Sequence, residues 1–257
     1  MNIKIKICGL TNVKDLEACS LAKVNYVGFV FFKKSKRNLI LSEANKIASN
    51  VPQNIVKVAL TVDPKDLELD NLFSNFPVDT LQLHGHESPA RVKEIKERYG
   101  VPIIKSISLR TKSDLEKIHE YTWVADQLLI DAAKPDKQSP PGGNGVIFDW
   151  SLISGYNWKI PWLLAGGLNH TNVCDAIRVS GAMQVDVSSG VERQPGIKDQ
   201  NLIKEFELSV KSSNEIIKLK KLRLNDRFSG TWKSLKDLKK LKLQLKDKIN
   251  RLSHQPH

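Results

Sequence analysis

Cysteine is scarce in this chain of 257 residues: Cys8, Cys19 and Cys174 are all it has. An odd count at wide spacing, with no CxxC pair, argues against a disulfide framework and against a zinc site. Long apolar runs are missing too. The longest near-apolar stretch, Val27 to Phe32, is far too short to span a bilayer. The first residues, Met-Asn-Ile-Lys-Ile-Lys-Ile-Cys, alternate instead of forming a hydrophobic block, so they do not read as a secretory signal. There is no zinc-finger pattern, no RNP motif and no interleaving of aromatics with basic residues, which leaves specific nucleic-acid binding without support. These absences together predict a cytoplasmic protein with reduced thiols, no membrane span and no metal.

What is present is ordinary in amount and uneven in placement. Hydrophobic residues are 40% and charged residues 26%, the composition of a soluble globular protein long enough to bury a full core. The formal net charge is +12, but residues 212–257 hold 13 Lys+Arg against 4 Asp+Glu. That segment carries +9, and the remaining residues, with 27 against 24, carry only +3. The basic character therefore belongs to a C-terminal extension and says little about what the body binds. Within the extension, Leu235, Leu238, Leu241, Leu245, Ile249 and Leu252 recur at steps of three and four, the spacing of an amphipathic helix with lysines on its other face. A solvated appended helix is the plain reading; a partner helix, an anionic membrane surface or nucleic acid are the functional ones.

Residues 1–211 read as strands alternating with helices. Strands are expected at Ile3–Ile7, Tyr26–Phe32, Val56–Val62, Thr80–Leu83, Pro102–Ile107, Leu128–Ile130, Pro161–Ala165 and Gln184–Val187. Helices are expected behind a Thr11/Asn12 cap, from a Ser42 cap to Ala48, behind Ser88-Pro89 to Tyr99, and near Ser113–Tyr121. Apolar strands joined by helices point to a parallel sheet buried on both faces. Eight such units fit a (β/α)₈ TIM barrel with a basic C-terminal helical extension. An open doubly wound sheet would want a glycine-rich GxGxxG turn after the first strand, and none is there.

In such a barrel, the loops after the strands build one shared site. Here those positions are Cys8, Arg37, His84, Asp131, Gly142-Gly143-Asn144-Gly145, Gly166-Gly167 and Asp186 to Gly190. Glycine lets backbone N–H groups approach an anion, so the three glycine-bearing loops predict a phosphate site; singly, each reads equally well as a tight turn. Cys8 is either a small core hydrophobe or a base, and the second role wants a thiol pKa lowered toward neutrality. Asp131 either caps its loop or serves as an acid in a half-buried setting. Arg37 sits in a cationic run that a solvated face would explain, yet Arg suits a two-point grip on a carboxylate. His84 reads as a satisfied structural histidine, and Cys19 and Cys174 as packing on helix faces.

Several segments carry a family resemblance. They are Lys6-Ile7-Cys8-Gly9-Leu10-Thr11, Gly28 to Arg37, Leu81-Gln82-Leu83-His84-Gly85, Gly142-Gly143-Asn144-Gly145 with Phe148-Asp149-Trp150, Ala165-Gly166-Gly167-Leu168-Asn169, and Val185-Asp186-Val187-Ser188-Ser189-Gly190-Val191-Glu192. In this order, over residues 3–208, the chain resembles the phosphoribosylanthranilate isomerases. The resemblance implies a (β/α)₈ barrel acting in tryptophan biosynthesis. Its reaction is the Amadori rearrangement of N-(5-phosphoribosyl)anthranilate to 1-(2-carboxyphenylamino)-1-deoxyribulose 5-phosphate, with no cofactor. It implies Cys8 as general base, Asp131 as general acid, and Arg37, Gln82, His84 and Asp186 around the substrate. It assigns the phosphate to Gly142, Gly143, Asn144, Gly145, Gly166, Gly167, Ser188, Ser189 and Gly190. Asn144 stands where the family has Thr or Ser, and it can still donate a hydrogen bond. A monomer and a homodimer are both compatible with the sequence. The alternatives are another phosphate-binding barrel enzyme or an anion-binding protein driven by the tail. An epimerase would want metal-binding His and Asp at strand ends, and an indole-glycerol-phosphate synthase would want Lys and Glu.

Overall fold

Ile and Lys alternate along the first strand, and the alternation sends the two sets to opposite faces. In the computed structural model, which describes residues 2–133, 145 and 147–229, β1 (Lys4–Cys8) carries Ile5 and Ile7 in the buried core, yet Lys6 is wholly buried as well. A strand buried on both sides belongs in a closed parallel sheet, and that is what forms. The strands β2 (Tyr26–Val30), β3 (Val56–Thr61), β4 (Thr80–Leu83), β5 (Ile103–Leu109), β6 (Gln127–Ala132), β7 (Trp162–Leu164) and β8 (Gln184–Val187) follow in order. All eight pair in parallel, each with the next in sequence, and β8 returns to β1 to close the barrel.

The barrel interior is layered. Tyr26, Val58, Ile104, Leu129, Leu163 and Ala165 form one apolar cluster drawn from several strands. Nearer the C-terminal mouth, Cys8, Val30 and Leu60 form another, with Phe32 and Val62 packed on it. Burying one such aliphatic or aromatic side chain contributes roughly 1.5–3 kcal/mol.

The helices are α1 (Val13–Leu21), α2 (Leu41–Ala48), α3 (Asp66–Asn75), α4 (Pro89–Tyr99), α5 (Glu116–Tyr121), α6 (Val173–Ser180) and α7 (Gln200–Ser229). Asn12 caps α1 through the Asp15 N–H, and Ser88 caps α4 through the Arg91 N–H with Pro89 behind it, as expected. The expected Ser42 cap is corrected. The helix starts at Leu41, Ser42 lies in its first turn, and Glu43 reaches back to the Ile40 N–H. The segment expected as a helix from Ser113 opens as a 3₁₀ turn, Lys112–Leu115, before α5. The crossover from β6 to β7 shows a short 3₁₀ turn, Trp150–Ile153, and no α-helix among the described residues.

A short antiparallel hairpin, β9 (Glu192–Gln194) with β10 (Ile197–Lys198), follows β8. Contacts group Met1–Val210 as one unit and Lys211–His257 as a second. The helix α7 runs from the first into the second. The amphipathic segment from Leu235 to Leu252 lies outside the described residues. Among the described residues, no helix is long and apolar enough to cross a membrane.

Candidate active site

The strand ends converge on one cavity of about 540 Å³, lined by Cys8, Arg37, His84, Asp131, Gly167 and Ser188 among others. Gln82, Asp186, Gly145, Gly166 and Ser189 line it too. Sequence reasoning thus finds most of the wall. Gly142, Gly143 and Asn144 lie outside the described residues. Gly190 is outside that lining, and a Cβ there would overlap the Leu168 carbonyl oxygen.

Cys8 closes β1 and faces inward against Val30 and Leu60. Its neighbour across the strand pair is Gly28, and a Cβ there would come within 2.8 Å of the Cys8 Sγ. The expectation of a lowered thiol pKa is corrected. Burial pushes the Cys8 thiol up, the Lys6 ammonium works against that, and Asp186 adds to it. Lys6 is held by Asp186, Nζ to Oδ1 at 2.8 Å, across the β1–β8 pairing. Burial opposes the charge on Lys6, but Asp186 and Cys8 outweigh it, and its pKa is raised. Asp186 is therefore an ion-pair partner as well as a wall residue.

Asp131 sits in β6, one residue before the strand's end. Its Oδ1 accepts the Ala132 N–H at 2.8 Å, and its Oδ2 stands 3.4 Å from His84 Nε2. The Gln82 amide donates to His84 Nδ1 at 2.8 Å, an amide orientation that leaves the ring proton on Nε2, toward Asp131. Both ring nitrogens of His84 thus have partners, and Gln82, His84 and Asp131 form a chain across β4 and β6. In the same orientation, Gln82 Oε1 is buried without a protein partner.

Gly166 and Gly167 follow β7 with φ of +86° and +61°, values that favour glycine, and both line the cavity. Ser188 donates its hydroxyl to the Cys8 carbonyl at 2.9 Å, which fixes the β8 loop against the β1 end. Arg37 is not the solvated cation that its run of lysines suggests. Glu192 already grips it, Nε to Oε1 at 2.7 Å and Nη2 to Oε2 at 2.8 Å.

Sequence reasoning missed Lys6, Glu192, Lys198 and the apolar wall of Val30, Phe32, Leu60 and Val62. The wall had one signal: the apolar run after Tyr26 continues past the strand end to Phe32.

The comparisons meet this geometry. The family profile described as N-(5'-phosphoribosyl)anthranilate (PRA) isomerase matches residues 5–208. The chain belongs to the phosphoribosylanthranilate isomerase family. A phosphoribosylanthranilate isomerase from Cereibacter sphaeroides is 50% identical over 204 residues, covering 79% of this chain and 96% of the relative. The crystal structure of the isomerase from Thermotoga maritima superposes with a TM-score of 0.73 at 34% identity, over 81% of this chain and 98% of the other. Another solved isomerase, bound to reduced 1-(o-carboxyphenylamino)-1-deoxyribulose 5-phosphate, gives 0.71 at 33% identity, with coverage of 81% and 98%. The profile match ends at residue 208, shortly before the basic segment begins.

Proposed function

We propose that this cavity converts N-(5-phosphoribosyl)anthranilate to 1-(2-carboxyphenylamino)-1-deoxyribulose 5-phosphate, with Cys8 as base and Asp131 as acid. The observation that carries the assignment is the meeting of a thiol, a carboxylate, a glycine-walled end and an arginine in one cavity of a family barrel. Asp131 gives its proton to the ribose ring oxygen while the amine lone pair forms the C1–N double bond, and the ring opens. The Cys8 thiolate then takes the C2 proton, and the electron pair of that bond flows toward nitrogen to give the enolamine. Tautomerisation moves one proton off the C2 hydroxyl and one onto C1, so no atom is gained or lost. Acid and base stand on different strands, so both steps proceed without either group changing role.

The two ends of the substrate are anions, and the wall has a match for each. Gly145, Gly166, Gly167, Ser188 and Ser189 take the phosphate, chiefly through backbone N–H groups. Arg37 takes the ring carboxylate, and the aromatic ring lies on Val30, Phe32, Leu60 and Val62. Gln82 and His84 hold Asp131 toward the ribose. The enzyme works in the cytoplasm and needs no cofactor. Expressed in a tryptophan auxotroph lacking this isomerase, the chain restores growth without tryptophan, and the Cys8→Ala variant does not. Failure of the intact chain to restore growth contradicts the assignment.

The buried thiol gives the pH profile a sign. The base must be thiolate, and its pKa in the free protein is raised, so kcat/KM climbs with pH from about 6 toward 9. Lys6 is the nearby cation that favours the thiolate, so Lys6→Met moves the rising limb to still higher pH. That substitution also leaves Asp186 unpaired, at a cost of about 3–5 kcal/mol in stability, so the profile is taken well below the melting temperature. An unmoved limb removes Lys6 from this role.

The barrel at residues 1–211 and the basic extension at 212–257 are proposed as separate working parts. Truncation after Lys211 leaves turnover within about twofold and strips most heparin retention, because the segment removed carries +9. A folded but inactive truncation overturns the separation.

A further inference from the structure

The hairpin that follows β8 holds more charge than its length suggests. Glu192 opens β9, is 3% exposed, and accepts from Arg37, from the Gly196 N–H at 3.1 Å and from Lys198 Nζ at 2.7 Å. Lys198 is fully buried at the end of β10 and also donates to the Ser188 carbonyl at 3.1 Å. Arg37 and Lys198 thus share one carboxylate.

The hairpin is built against the arginine's loop. The Gly196 carbonyl accepts the Thr11 hydroxyl at 3.1 Å, and a Cβ at Gly196 would come within 2.6 Å of the Lys36 carbonyl. On the other side, a Cβ at Gly9 would overlap the Arg37 Cδ. Gly196 thus leaves room for the Lys36 backbone, and Gly9 for the Arg37 side chain. Glu192 takes the Nε/Nη2 edge of the guanidinium. A guanidinium has a second bidentate edge, Nη1/Nη2, which suits one more carboxylate. Arg37 lines the cavity, and its Nη1 is outside the Glu192 pair.

We propose that Glu192 is a positioning residue: its two-point grip aims Arg37 at the ring carboxylate and so sets the preference for a carboxylate-bearing aryl amine. The proposal rests on the reading of Arg37 given under Proposed function. A pre-aimed fork loses less side-chain freedom when ligand binds, which is where the gain in affinity arises. The same carboxylate holds Lys198 on the Ser188 carbonyl, so the hairpin joins the aryl end of the cavity to the phosphate end.

The test uses two probes: reduced 1-(2-carboxyphenylamino)-1-deoxyribulose 5-phosphate and the same compound without the ring carboxylate. The ratio of their dissociation constants, read by calorimetry on the full chain, measures carboxylate preference. Glu192→Gln lowers that ratio about tenfold, chiefly by weakening the carboxylate-bearing probe. In the Arg37→Ala background, Glu192→Gln changes the ratio less than about twofold, because its route is already cut. Glu192→Asp restores part of the ratio, and Glu192→Ala is scored in place of Glu192→Gln if the latter is insoluble. In turnover, KM rises by a larger factor than kcat falls. Equal weakening of both probes marks a merely structural residue and overturns the proposal, as does an unchanged ratio in the Glu192 variant scored. If Arg37→Ala itself leaves the ratio unchanged, the Arg37 reading falls first. If Arg37→Ala collapses the ratio and the Glu192 variant does not, only the positioning role falls.

Discussion

Replacing Cys8 by alanine or Asp131 by asparagine is expected to lower turnover about a hundredfold or more, a loss of roughly 3 kcal/mol in the transition state. Each substitution removes one proton transfer and leaves the walls of the cavity in place. Cys8→Ala deletes a single sulfur from the apolar cluster with Val30 and Leu60, and the Lys6–Asp186 pair remains. Asp131→Asn keeps a carbonyl oxygen to accept the Ala132 N–H, so the strand end is undisturbed. Binding of the reduced product analogue should therefore change far less than turnover does. Single-turnover kinetics and calorimetry on the same samples separate the two effects. Near-normal turnover in either variant removes that residue from the mechanism.

The second large effect is expected at Gly190, which touches no substrate atom in this account. A methyl group there would overlap the Leu168 carbonyl oxygen and crowd the Leu168 carbonyl carbon at 2.8 Å. Backbone cannot give way as a flexible side chain tip can, so the β7 and β8 loops must part. Those loops carry Gly166, Gly167, Ser188 and Ser189, the proposed phosphate end. Gly190→Ala should raise KM about tenfold or more and weaken inorganic phosphate binding alongside, with a stability loss of roughly 1–3 kcal/mol from overpacking. Arg37→Ala should raise KM while inorganic phosphate affinity stays nearly intact. The pair of variants separates the two anion clamps. If Gly190→Ala binds phosphate normally, the loops do not form that clamp.

The strands were legible because a parallel barrel buries them on both faces, which writes them as continuous apolar runs. The run from Tyr26 and the run ending at Asp131 are examples. Their ends also located the cavity, since the fold gathers all strand ends at one mouth. The helix α3 was not legible. Its residues, Asp66–Asn75, are mostly polar and Leu67 points to solvent, so the buried stripe of Leu69 and Leu72 is short and easily passed over. Tertiary ion pairs add to that packing, with Arg91 and Arg98 reaching Asp66 and Asp70. The charge partners in the site were hidden for a related reason. Lys6 and Asp186 are 180 residues apart in sequence, and Arg37 and Glu192 are 155 apart. Only closure of the barrel brings them together. The thiol's environment reversed the sequence expectation because burial against Val30 and Leu60 outweighs the nearby lysine.

One measurement bears most directly on the central claim. Phosphoribosylanthranilate is generated in place from anthranilate and phosphoribosyl pyrophosphate by the transferase, purified full-length protein is added, and the substrate's fluorescence is followed. The account predicts a rapid fall, proportional to protein concentration, with 1-(2-carboxyphenylamino)-1-deoxyribulose 5-phosphate as the product and no metal or redox cofactor added. Decay no faster than without protein, from a preparation shown to be folded, would contradict it.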